Sequence, residues 1–126
     1  MLSDHQVMAA LPAQDYDRAV RFYKEKLDLT PSEEGPDGAT FRCAGGTSLL
    51  VFPSMGEASG THTQAGFEVS DLSAEVSDLK ANGVTFLEYD TPELKTVDGI
   101  AELGEEKGAW FKDSEGNIIA LFQRKA

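Results

Sequence analysis

An amphipathic stretch occurs twice in this sequence, once in each half, and an internal duplication resets the choice of fold before other signals are weighed. The first copy runs from Asp15 to Leu29, with Tyr16, Ala19, Val20, Tyr23 and Leu27 at helical spacing and Asp17, Arg18, Arg21, Lys24 and Glu25 on the other face. Asp15 is placed to cap its first turn by accepting free backbone N–H groups. The second copy starts at Asp71, continues with Leu72, Val76 and Leu79 on one face, and stops at Asn82-Gly83. Glycine ends a helix cheaply there because it enters the left-handed conformation without a Cβ penalty. The chain therefore reads as two similar halves.

Each helix follows a β-like run, Gln6–Pro12 in the first half and Thr63–Val69 in the second. Further strands are expected at Leu29–Glu33, Thr40–Cys43 and Ser48–Phe52. In the second half they are expected at Thr85–Glu88, Ile100–Leu103, Ala109–Lys112 and Ile118–Gln123. Gly35-Pro36-Asp37-Gly38, Gly45-Gly46 and the segment Asp113–Asn117 mark the turns. Each half then reads β-α-β-β-β, an α+β arrangement rather than a doubly wound parallel sheet. We expect a single domain over residues 1–126, with module one at about 5–53, a small polar linker at about 54–61 and module two at about 62–124. A crossover helix covers only one face of its sheet. The two modules are thus expected to form an open, curved mixed sheet with helices outside and a trough inside.

Composition narrows the partners. Twenty-two acidic residues against eleven basic ones give a net charge of −11. Nucleic acid and anionic membrane surfaces are disfavoured, because both are held through Lys and Arg. The acidity reads as solubility, or more sharply as attraction for a cationic ligand. The single cysteine, Cys43, excludes an intrachain disulfide and a multi-cysteine zinc site, and reads as a small buried hydrophobe. No apolar run approaches the roughly eighteen residues of a spanning helix. Met1–Gln6 lacks a basic segment leading into an apolar one, and the expectation is a cytoplasmic protein.

The paired β-α-β-β-β modules resemble the vicinal oxygen chelate superfamily of glyoxalase I, extradiol dioxygenases, fosfomycin-resistance enzymes and bleomycin-resistance proteins. The residues that carry the likeness are Leu11-Pro12 with Asp15–Tyr23, Gly66–Leu72, and Phe111–Ile119 with its Asp-x-x-Gly-Asn turn. The likeness spans essentially the whole chain. It implies a glyoxalase/bleomycin resistance/dioxygenase-like fold and a homodimer. In enzymes of this family a divalent metal is held by His, Glu or Gln, one from each of four strands. Counted from the local anchors, those positions fall on Met8, Leu50, Gln64 and Ala120. Met, Leu and Ala offer no hard donor, and one neutral amide cannot hold a dication. The expectation is no metal and no cofactor.

The imidazoles offer no replacement. Strand alternation puts His5 opposite Met8, while His62, Gln64 and Glu68 share one strand and spread over about 20 Å. His62 reads as an exposed loop residue. Alternation lines the trough with Met8, Leu50, Phe52, Gln64, Glu68, Ala120 and Phe122, joined by Trp110 from a neighbouring strand. Such a mostly apolar lining with a few polar groups suits a small molecule, and equally a packed core or a dimer interface. Glu68 is either a cation-binding or basic carboxylate in the cavity or a solvated charge at its rim. The long loop Tyr89–Gly99 is placed to cover one end. Three functions remain: a metal-free binder of an aromatic or cationic molecule, an enzyme (lyase, isomerase or dioxygenase-like) using Gln64 and Glu68, and a dimeric interaction protein without a ligand.

Overall fold

The computed structural model describes residues 1–124. It contains two compact units. Unit 1 comprises Met1–Ser59 together with Ser114–Asn117, and unit 2 comprises Gly60–Asp113 with the strand that starts at Ile118.

Unit 1 holds β1 (Ala9–Ala13), α1 (Tyr16–Glu25), β2 (Pro31–Gly35), β3 (Gly38–Arg42) and β4 (Ser48–Pro53). The sheet order is β1-β4-β3-β2, with β1 parallel to β4 and the other pairs antiparallel. Asp15 caps α1 as its position demands, accepting from the Arg18 amide at 3.1 Å. The helix ends at Glu25, short of the expected Leu29; Asp28 then takes a positive φ of 56°, which no α-helix accommodates. Ala19, Val20 and Tyr23 are buried with Leu11, Ala13, Ala39, Phe41, Leu49 and Val51. The Tyr23 and Phe41 rings meet at 5.7 Å. Each of the larger side chains stabilises the fold by about 1.5–3 kcal/mol through removal from water. Met8 and His5 both precede β1, so the strand alternation expected to set them on opposite faces does not apply.

Unit 2 holds β5 (Thr63–Glu68), α2 (Leu72–Ala81), β6 (Thr96–Val97), β7 (Ile100–Leu103), β8 (Glu106–Lys112) and β9 (Ile118–Arg124). The order is β5-β9-β8-β7-β6, with β5 parallel to β9. Asp71 caps α2 through the Ala74 amide at 3.1 Å, and Gly83 leaves the helix at φ 92°. The α2 face of Leu72 and Val76 is buried, and the Leu72 amide donates to Gln123 Oε1 at 2.8 Å. Gln123 shares its face of β9 with Ile119 and Leu121, so these odd-numbered residues face the helix.

The expected strand Thr85–Glu88 does not form. Strand β7 pairs with β8 only as far as Gly108, and beyond it Phe86 makes a single bridge to Phe111 while the Leu87 amide donates to the Trp110 carbonyl at 2.8 Å. Glu88 is drawn away from any ladder because its carboxylate accepts from the Gly99 amide and the Thr96 hydroxyl. The segment expected as a long loop is therefore tied down. Thr96 exchanges backbone and side-chain hydrogen bonds with Tyr89 and contributes the two-residue β6.

The turn Ser114–Asn117 is coded in the second half but belongs to unit 1. Glu115 accepts from the Asp15 amide at 2.9 Å, from Arg18 Nε at 2.8 Å and from Ser114 Oγ at 2.9 Å. Asn117 Nδ2 donates to the Pro12 carbonyl at 3.0 Å.

Candidate functional site

In unit 2 the face opposite α2 is built from the even-numbered residues of β9 and their register partners. Trp110 lies beside Ala120, and Ala120 beside Gly66; Phe122 lies between Gly108 and Glu68. Trp110 and Phe122 are half-buried and Gly66 is exposed. The indole lies over Gly108, where an added Cβ would stand 3.0 Å from Trp110 Cη2. Tyr89 meets the same indole edge-on, with ring centroids 5.7 Å apart at 87°. That geometry suits the aromatic quadrupoles and fixes the tryptophan in place. Gln64 sits at a register shift between Thr63 and Ala65, and its buried Oε1 accepts no hydrogen bond from the described residues. An unmade bond at a buried acceptor costs about 1–3 kcal/mol until a donor arrives.

Glu68 is exposed. Its side chain is 56% exposed, with Arg124 Nε at 3.7 Å, and Arg124 also stands 3.8 Å from Glu106. Exposed pairs of this kind contribute about 0–1 kcal/mol. Ala120 is buried among its neighbours rather than lining open space.

In unit 1 the face opposite α1 carries Ala10, Thr40, Arg42, Ser48, Leu50 and Phe52, since Phe41, Leu49 and Val51 point to the helix. Leu50 and Phe52 are half-buried; Met8, just outside β1, is 48% exposed. Cys43 is half-buried rather than fully buried, its thiol 3.8 Å from the Phe41 carbonyl. Burial pushes that thiol's pKa up, the opposite of an activated nucleophile. His62 is exposed, ahead of β5.

The donor set does not fit the family's divalent cation. Met8 supplies a soft thioether, Leu50 and Ala120 supply nothing, and Gln64 supplies one neutral oxygen. Among the described residues no three His, Cys, Asp or Glu side chains stand close enough to hold a metal ion. Sequence reasoning missed Tyr89, which no periodicity places, and Arg42, which alternation along β3 with Thr40 would have put on the same face.

Residues 5–121 match the model of the Glyoxalase/Bleomycin resistance protein/Dioxygenase superfamily, and the chain belongs to that family. It is 30% identical over 135 residues to the uncharacterized protein YurT of Bacillus subtilis (strain 168), covering 94% of this chain and 98% of that one. Among solved structures it is similar to TnmS3, an antibiotic binding protein from Streptomyces sp. CB03234, with TM-score 0.69, 22% identity and 96% of each chain covered. It is also similar to the oxidase ChaP-H2, with TM-score 0.70, 21% identity and coverage of 95% and 93%. No helix among the described residues is long and apolar enough to cross a membrane.

Proposed function

We propose that this protein binds a small aromatic or cationic molecule on the face of its second sheet opposite α2, without a catalytic divalent cation. The observation that carries this reading is the pinned indole of Trp110. It is half-exposed and braced by Tyr89, with Phe122 further along the same face of the neighbouring strand and the exposed Glu68 carboxylate across from Phe122. A flat ligand stacks on the indole, and a positive charge is drawn to Glu68 and to the acidic chain as a whole. The similarity to an antibiotic binding protein supports binding as the purpose of this fold in the chain. The exposed, Arg124-paired state of Glu68 weighs against its use as a general base, and the donor set leaves no Lewis acid.

Trp110 is the sole tryptophan, so its emission reports directly on the site. Titration with metal-free bleomycin or an N-methylacridinium ion is expected to quench it saturably, at one site per chain. Trp110→Leu, followed by calorimetry, is expected to lose about 1–3 kcal/mol of binding, the usual worth of aromatic and cation–π contact in a desolvated place. Unchanged affinity in Trp110→Leu would remove this face from the function.

A further inference from the structure

We propose that the end of the first sheet binds a small organic oxyanion, a carboxylate or a phosphate monoester, anchored by Arg42. A cavity of about 380 Å³ opens there against Gln6, Thr40, Arg42, Gly46, Ser48 and Glu33. That volume lies within the range of small-molecule pockets. The site lies wholly in unit 1 and does not depend on the Trp110 reading.

Arg42 ends β3 directly across from Ser48, on the face turned away from α1. Among the described residues its guanidinium makes no hydrogen bond or ion pair, whereas Arg18 is bonded to Glu115 and Arg124 stands between two carboxylates. The side chains of Gln6, Thr40 and Ser48 likewise donate to no other described group. Their neighbours Thr47 and Ser32 are already spent, donating to the Ala44 carbonyl at 2.7 Å and the Thr40 carbonyl at 3.1 Å. The cavity thus gathers a fixed positive fork and three uncommitted donors, the complement of an oxyanion.

Two details bear on the site. Gly46 takes φ 79°, and a Cβ there would stand 2.8 Å from Gln6 Nε2; the glycine is what lets the Gln6 amide close over this end of the sheet. Glu33 lines the same cavity without pairing to Arg42, so one negative charge already borders the ligand. Arg42 attracts, and Glu33 repels, a phosphate dianion more strongly than a carboxylate monoanion, so the two charges leave both oxyanions within the class.

The test is an amide-shift titration of the ¹⁵N-labelled full chain with benzoate, phenyl phosphate and benzylammonium in turn, at about 0.15 M salt so that the net charge is screened. Benzoate or phenyl phosphate is expected to give saturable shifts at Arg42, Gly46 and Ser48, and the tighter of the two identifies the oxyanion that the site takes. Arg42→Met is expected to weaken that oxyanion by about tenfold or more, the worth of a charge-assisted hydrogen bond. Gly46→Ala weakens it too, by displacing Gln6 with no change of charge, while Arg21→Met, on exposed α1 surface, leaves it unaltered. The proposal is overturned by any of three results: saturable shifts with neither benzoate nor phenyl phosphate, benzylammonium binding more tightly at the same amides, or unaltered affinity for the bound oxyanion in a folded Arg42→Met.

Discussion

Phe111→Ala is expected to remove about 3–5 kcal/mol of unfolding free energy, the cost of deleting a buried aromatic ring and leaving its cavity. Phe111 is 1% exposed, one residue before the end of β8. It meets Phe86 edge-on at 5.6 Å and 71°, and its backbone bridges to Phe86 next to the bond from the Leu87 amide to the Trp110 carbonyl. Truncation therefore loosens Phe86, and behind it Glu88 and the loop that Glu88 holds. Urea denaturation followed by tryptophan emission checks this, because Trp110 is the adjacent residue. Phe86→Leu, which keeps much of the volume, should cost under about 1.5 kcal/mol. A loss below about 1 kcal/mol for Phe111→Ala would show that this cluster is not a structural centre of unit 2.

Glu115→Gln is expected to cost about 2 kcal/mol at neutral pH, in the lower part of the range for charged hydrogen bonds because Arg18 stays half in solvent. Burial by itself pushes the Glu115 carboxyl upward, since its side chain is only 3% exposed. Hydrogen bonds from Arg18, the Asp15 amide and Ser114 outweigh that and hold it below its ordinary value. The unfolded chain therefore takes up this proton at a higher pH than the folded one. The stabilisation is full above the ordinary value of 4.5 and is lost as pH falls through the lower folded value. The stability difference between the parent chain and the Glu115→Gln variant should thus shrink steadily below about pH 4.5. A difference that stays constant from pH 7 to pH 3 would mean that shape, not charge, matters at this position.

Both helices were legible because their signals are local. Asp15 and Asp71 sit one residue before an amphipathic run, and a cap needs only the amides of the next turn. Most strands were legible from alternation, with ends shifted by a few residues: β2 starts at Pro31 rather than Leu29, and β8 starts at Glu106 rather than Ala109. The Thr85–Glu88 expectation failed although its alternation is real, with Val84 and Phe86 buried. A strand needs a free ladder edge as well as a pattern, and here β8 offers only the short stretch that β7 leaves open.

The sites divide along the same line. That Met8, Leu50, Gln64 and Ala120, the positions the resemblance implies for ligands, offer at most one hard donor is a matter of residue chemistry and needs no coordinates. That Glu68 is exposed beside Arg124, that Cys43 is half-buried, and that Met8 lies outside its strand depend on what packs around each residue.

The duplicated pattern, the caps and the charge are properties of neighbouring residues, and the amino-acid order alone settled two sheet-and-helix modules of an acidic protein. Folding in three dimensions decided the rest: Tyr89 against Trp110, Gln6 over Gly46, and a turn from the second half closing on Arg18 and Pro12 in the first unit. Those contacts join residues far apart in the chain, and no local periodicity encodes which distant partner will satisfy a buried carboxylate or brace an exposed ring.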